Sequence, residues 1–452
     1  MVKKFVFVVS QEEEDCDDPD RGDREVRRAL LERNARLHAE LHAQKNNIWE
    51  HYKSKRWDRF KKHSNDYELV FTSTAAEHPS ISTHVPSSRS FFKMWEILDD
   101  FKDDIRAHEL PAMRVAFLAE GPGGFVEAFH MYRKTHAPDA RDATHGMTLL
   151  SSDRNIPSWK LPSAVLHETQ LCRGADGTGN LYNIENIDAL VDSAGAGACH
   201  LVTADGGFDF SNDFNNQEEL SQRLIAAEIL AALRLQAPGG CFVLKVYDVM
   251  NETTLVLLRV LRRCYDRLYV VKPLTSRPAN SEKYVVCAGF RKSAPEVESS
   301  LARFVATCDP GAFAEGAFAE GAFAGRAFAG RAFAGGAFAE GDAEGAFAEG
   351  HFAGNRLPTA FLRDILDMNA YYVYKQIMHI QKTLLFILID KLRYHSDQPD
   401  AKKDVEAFFM DNLHAQLRKA IKWCHKYKIK ICTASIRKYK DMFRAAAVTG
   451  LI

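Results

Sequence analysis

The stretch Val115-Ala-Phe-Leu-Ala-Glu120-Gly121-Pro122-Gly123-Gly124-Phe125-Val-Glu127 decides how the chain reads. An apolar run stops at an acid and a Pro-Gly-Gly turn. It resumes with Phe125, Ala128, Phe129 and Tyr132 at helical spacing, which predicts a buried strand, a tight loop and a helix. Glycine serves where φ is positive or where a ligand presses on the backbone, and the helix start offers unpaired N–H groups to a polar ligand. No Gly-Lys-Ser/Thr follows, which excludes the phosphate cradle of an NTPase, and the three-glycine dinucleotide spacing is missing. With Glu120 at the strand end, a zwitterionic adenosyl ligand fits better than a pyrophosphate. Strand-glycine-helix elements also occur without any ligand, so the loop takes its meaning from the rest of the chain.

Downstream, Gly146 to Asp153 reads as a second buried strand ending in an acid, the place where a ribose diol is gripped in doubly wound folds. The polar turn Gly174-Ala-Asp176-Gly-Thr-Gly-Asn180 suits either the wall of an adenine pocket or a plain surface loop. His200 to Ala204 is a third strand, stopping at Asp205 and two glycines. Glu219 to Leu235 is an amphipathic helix, and Pro238 to Asp248 a turn and a strand. Lys245 ends the apolar run Cys241 to Leu244, where a lysine is costly to bury unless paired or functional. A helix (Thr253–Cys264), a strand (Leu268–Pro273), a loop (Thr275–Glu282) and a strand (Lys283–Phe290) follow. Upstream, Ser88 to Leu98 has a serine cap and a helical apolar stripe that carries Lys93. Strand and helix thus alternate from about 85 to 293, predicting a largely parallel sheet with helices on both faces. Such a sheet brings Lys93, Asp205, Lys245 and Glu282 to one edge, as a reactive cluster or as two ion pairs that only stabilise.

Around this core the chain of 452 residues leaves room for at least one further domain. The net charge of −1 hides a basic tail: residues 355–452 hold 18 Lys and Arg against 9 Asp and Glu, suited to a polyanion or to a solvated helical surface. Nine scattered cysteines without a CxxC pair suggest neither disulfides nor a zinc site, and a reducing compartment. The opening Met1 to Ser10 is too short in its apolar part for a signal peptide and reads as a strand. The run Leu384 to Ile389 is too short to span a bilayer, so a soluble, intracellular protein with no membrane partner is expected. Residues 22–63 read as polar helices with Trp49, Tyr52, Trp57 and Phe60 as anchors; Tyr52 to Trp57 suits base stacking or, more simply, docking. Residues 311–354 repeat Gly-Ala-Phe-Ala-Glu with period five and read as a low-complexity linker rather than a β-solenoid. The expected division is an N-terminal extension (1–84), a catalytic domain (85–293), a linker (294–354) and a basic helical domain (355–452).

The ordered motifs of 85–293 resemble the FtsJ-like ribose 2'-O-methyltransferases. They are Ser-Arg-Ser-Phe-Phe-Lys93 with a following Glu96, Glu-Gly-Pro-Gly-Gly-Phe125, Ala-Asp205-Gly-Gly, Leu-Lys245-Val and Ser-Glu282-Lys-Tyr. The Asp176 turn and the appended helical domain look most like the mRNA cap-type members of large DNA viruses. The resemblance implies an α/β, Rossmann-like, S-adenosylmethionine-dependent methyltransferase sheet acting on RNA, capped mRNA above all. A capping-enzyme partner and a location in host cytoplasm or virion go with it. It also implies a Lys93-Asp205-Lys245-Glu282 tetrad with Lys245 as base, and no metal. Glu120, Gly121, Pro122, Gly123, Gly124 and Phe125 would shape the methionine end, with Asp153 on the ribose diol and Asp176 near adenine. Burial and Lys93 are expected to lower the Lys245 pKa, Asp205 and Glu282 to push the other way. One departure is Gly121, where many members have Ser or Ala before Pro-Gly-Gly. Methylation of ribosomal or transfer RNA, or a non-catalytic RNA-binding or virion component, are the alternatives.

Overall fold

Val115 to Leu118 is apolar without a break and buried on both faces, as a central parallel strand requires. In a computed structural model the described residues are 2–8, 21–52, 54–72, 78–153, 155–208, 210, 214–307, 357–395 and 399–448; the pentapeptide repeat lies outside them. The strands β1 (Phe5–Val8), β2 (Arg114–Leu118), β3 (Ala143–Met147), β4 (Thr169–Leu171), β5 (Cys199–Ala204), β6 (Gln236–Val246), β7 (Tyr265–Val271) and β8 (Lys283–Phe290) form one sheet. Their order is β1-β7-β8-β6-β5-β2-β3-β4.

Pairing is parallel from β4 through β3, β2 and β5 to β6. It is antiparallel from β6 through β8 and β7 to β1. The sheet is therefore mixed rather than largely parallel. The segment 272–282 between β7 and β8 is too short for a crossover helix, so the chain returns as a hairpin and β8 enters beside β6 reversed. The expected N-terminal strand is present as β1, on the β7 edge. The expected strand ending at Asp153 stops instead at Met147, where its pairing with β2 and β4 runs out.

Helices α1 (Arg21–Asn46), α2 (Trp49–Tyr52) and α3 (Arg56–Ser64) precede the sheet's centre. Helices α4 (Ser90–Asp100), α5 (Lys102–Ile105), α6 (Gly124–His136), α7 (Ser163–Glu168), α8 (Ile184–Ala194), α9 (Gln217–Leu235), α10 (Glu252–Cys264) and α11 (Pro295–Thr307) alternate with or follow the strands. The chain ends in α12 (Thr359–His395), α13 (Pro399–Lys426) and α14 (Thr433–Val448). One face of the sheet packs against α8, α9, α10 and α11 through Ile187, Leu230, Leu257 and Phe304. The other packs against α4, α6 and α13 through Phe92, Trp95, Phe129 and Trp423. The late helices thus complete the core: the Trp95 indole N–H donates to the Tyr427 carbonyl at 2.9 Å, and α12 packs along α1 and α3. No helix among the described residues is long and apolar enough to cross a membrane.

Trp423 is among the largest fully buried side chains and contacts both Phe92 and Tyr427. Trp423→Ala should cost about 3–5 kcal/mol of stability, read from urea unfolding followed by circular dichroism. A loss under about 1 kcal/mol would show that α13 is not part of the cooperative unit.

Candidate active site

The parallel strands stop at one edge, and there the four ionisable groups singled out in the sequence meet. Lys93 comes from α4, Asp205 from the turn after β5, Lys245 from the end of β6, and Glu282 from the approach to β8. Lys93 Nζ lies 2.7 Å from Glu282 Oε1, and Lys245 Nζ lies 3.3 Å from Asp205 Oδ1 while donating to the Asp205 carbonyl at 2.8 Å. The two pairs are one electrostatic unit, because Glu282 stabilises the Lys245 ammonium and Lys245 in turn stabilises the Glu282 carboxylate. Each side chain is 11–13% exposed, dry enough to strengthen the charges and open enough for a substrate to reach them.

Burial alone would raise the Glu282 carboxyl, but Lys93, Lys245 and Lys272 outweigh it and hold the group well below the ordinary range. Lys245 departs from expectation. Burial does lower its pKa, but Asp205, Tyr247, Glu282 and Glu228 win and the net shift is upward. With three carboxyls and a phenol around it, the amine of the ligand-free site is a firm ammonium.

Several of these partners were not singled out in the sequence. Tyr284 donates its hydroxyl to Asp205 Oδ1 at 2.9 Å, Ser276 donates to Glu282 Oε1 at 2.9 Å, and Lys272 donates to the Glu282 carbonyl at 2.6 Å. Glu228 reaches in from α9 and accepts the Gly206 N–H at 3.2 Å. The glycine pair after Asp205 explains itself here. A Cβ on Gly206 would lie 2.2 Å from Glu228 Oε1, and one on Gly207 2.4 Å from the Tyr247 hydroxyl and 2.9 Å from Lys245 Nζ. Glu228 was detectable in principle as the lone acid in the run Leu224-Ile-Ala-Ala-Glu228-Ile-Leu-Ala-Ala.

The glycine loop sits beside this cluster, between β2 and α6. The chain turns at Ala119, which holds φ 53 without being glycine, an arrangement found at functional sites. Glu120 follows, almost fully buried; Thr203 donates to its Oε1, and Oε2 has no partner among the described residues. Burial pushes this carboxyl well up, the Thr203 bond opposes, and Asp205 and Glu228 add to the rise. Gly123, at φ +114, caps the start of α6, and the Phe125 ring meets Tyr284 at 5.7 Å between centroids. Residues 157–161 strap the loop: Lys160 N–H donates to the Pro122 carbonyl at 2.9 Å, and Trp159 and Leu161 lie on the side where Gly123 lacks a Cβ.

Asp153 lies in the exposed loop after β3, not at a strand end, and accepts the Asn155 N–H at 2.9 Å through Oδ1. Asp176 is built into its own turn. Its carboxylate accepts from Thr178 N and Oγ1, Asn183 Nδ2 and Asn186 Nδ2, bonds that hold its pKa below the ordinary range. This edge offers a polar ligand two groups: Glu120 Oε2, buried and without a partner among the described residues, and the solvent-facing Asp153 carboxylate.

Residues 86–290 match the FtsJ-like methyltransferase family. The chain carries an FtsJ-like methyltransferase domain. It is also similar to curated proteins named cap-specific mRNA (nucleoside-2'-O-)-methyltransferase 1. The Trypanosoma cruzi protein is 40% identical over 181 residues, covering 40% of this chain and 48% of that protein. The mouse protein is 34% identical over 203 residues, covering 44% and 24%. The Xenopus laevis protein is 32% identical over 255 residues, covering 54% and 29%. The chain thus spans less than half the length of these relatives. The FtsJ-like domain contains the tetrad, the glycine loop and Glu228.

Burial, reinforced by Asp205, pushes the Glu228 carboxyl up to about 8, with Lys245 and the Gly206 N–H opposing. A carboxyl raised in the folded state favours folding below its unfolded pKa of 4.5, and that contribution is lost as pH climbs towards 8. Glu228→Gln should therefore gain on the parent by up to about 1.4 kcal/mol per pH unit between pH 5 and 8, read from urea unfolding at each pH. A difference that stays constant across that window would refute the assignment.

Proposed function

We propose that this chain transfers the methyl group of S-adenosylmethionine to a ribose 2'-hydroxyl of capped mRNA, with Lys245 as proton acceptor. The observation that carries the reading is the assembly of Lys93, Asp205, Lys245 and Glu282 at the sheet edge, next to the glycine loop. The relatives named for cap-specific mRNA methylation favour capped mRNA as the substrate class, and a capping enzyme is the partner such a substrate would call for.

S-adenosylmethionine, when bound, supplies a methyl on a sulfonium, whose positive charge disfavours an ammonium nearby. Lys245 then has reason to give up a proton to solvent despite its surrounding carboxylates. As a neutral amine its Nζ accepts the proton of the ribose hydroxyl. Asp205, fixed by Tyr284, aims that nitrogen, while Lys93, fixed by Glu282, donates to the same ribose oxygen and holds it in line. Glu120 would hold the ammonium of the methionine end and Asp153 the ribose diol of the cofactor.

Lys245→Ala should slow transfer of labelled methyl to capped RNA by about 10²–10⁴-fold while leaving the affinity for S-adenosylhomocysteine within a few-fold of the parent. Asp153→Ala should do the opposite, weakening that affinity in calorimetry far more than it slows saturated turnover. Methyl transfer that survives Lys245→Ala would sink the mechanism, and equal transfer to uncapped RNA would sink the substrate.

A further inference from the structure

Helix α12 is largely apolar, and among the described residues one side of it is covered only where Gln381 meets Gln44 of α1. Tyr374, Met378, Leu385, Leu388 and Leu392 are 46–60% exposed, although Val373, Ile377, Ile380, Phe386 and Ile387 on the same helix are buried. With exposed Gln381 between them, the outward residues fall at steps of four, three, four, three and four. That spacing is the a/d seam of a coiled coil, here about 27 Å long. A surface helix normally presents charge on this side, and an apolar patch that continuous marks a docking surface.

The flanks say what fits. Lys375, Lys382 and Lys391 border the stripe, and the one acid between Met368 and His395, Asp390, is 6% exposed. A second copy would bring the same basic flanks to the seam and no exposed acid of its own between Met368 and His395 to meet them. Charge therefore argues against self-association. A membrane surface asks for a wide apolar face, whereas this is a seam two side chains wide on a helix already packed against the fold.

We propose that the outward stripe of α12 binds an amphipathic helix of a partner protein, with Leu- or Ile-type residues at its a and d positions and Asp or Glu at the flanking e and g positions. This surface is independent of the methyltransferase reading, and its test needs no activity. The probe is a labelled synthetic peptide of about four heptads with Leu at a and d and Glu at e and g, titrated with the full chain in fluorescence anisotropy. A matched peptide with Lys at e and g is the control.

Saturable binding of the Glu peptide is expected, weakened roughly tenfold or more by the Lys peptide or by Leu385→Ser with Leu388→Ser. Lys375→Glu with Lys391→Glu should reverse the peptide preference. All four substituted residues are surface positions, so the variants should keep the parent's circular dichroism and Tm. Failure of the Glu peptide to bind, or binding that both variants leave unchanged, would overturn the proposal. So would a dimer in analytical ultracentrifugation that Leu385→Ser with Leu388→Ser dissolves, or lipid-vesicle flotation lost in the same variant, since either names a different occupant.

Discussion

A single carboxylate, Asp248, ties the site to the rest of the molecule. It is 1% exposed and lies 2.7 Å from Lys45 of α1 and 3.4 Å from Lys283 of β8, with the Ser281 hydroxyl donating at 2.8 Å. Burial alone would neutralise Asp248, but the two lysines overcome it and hold the pKa well below the ordinary range. The consequences are geometric. Asp248 closes the segment that carries Lys245, and Ser281 and Lys283 bracket Glu282, so one buried anion sets the spacing of the two halves of the tetrad. Breaking such a pair strands a charge in the core, typically at 3–5 kcal/mol. One of its two cations comes from a helix outside the FtsJ-like domain, and Gln376 of α12 donates to the same Ser281 hydroxyl at 3.2 Å. The terminal helices therefore bear directly on the site geometry.

Buried acids at the sheet edge reach opposite states. Glu282 lies against Lys93 and is held ionised, and Asp205 lies against Lys245. Glu228 and Glu120 have hydroxyl or backbone donors only, and burial drives both towards the neutral form. A partner with a full charge defeats desolvation, whereas a single dipole does not. Keeping two acids neutral matters to the edge as a whole. Were those two ionised as well, the negative charge facing Lys245 would be larger and its ammonium form more strongly favoured.

The edge itself was legible because strand ends are marked in sequence. Glu120, Asp205 and Lys245 each terminate an apolar run, and a run's end is a local property. Direction was not legible, since period-two burial is identical in parallel and antiparallel strands, so the reversal of β8 appears only with its neighbours. Asp153 was misplaced for a related reason. The apolar pair Leu149-Leu150 continues the strand pattern past Met147, but both side chains lie off the sheet once β2 and β4 no longer offer pairing. Lys45 is not readable as a partner of Asp248 because it lies 203 residues away, and nothing in the sequence around it distinguishes it from a surface lysine. Glu228 was different: an acid amid eight apolar neighbours in a helix is a readable anomaly.

The exposed stripe of α12 is not slack that the helix could roll away. Its inner side is pinned by polar bonds in dry surroundings. Asn369 donates to Asn34 Oδ1 at 2.7 Å and to the Val249 carbonyl at 2.6 Å, Tyr372 donates to the Val270 carbonyl at 3.2 Å, and Thr383 pairs with Ser64 at 2.6 Å. Each of these left unmade inside the protein costs about 1–3 kcal/mol. Rotating α12 far enough to bury Leu385 and Leu388 would break all of them and expose Ile380 and Ile387 in exchange, so little apolar surface would be gained. The contacts that fix α12 against Ser281 and the site edge are thus the same ones that commit its outward face to solvent, or to whatever covers it.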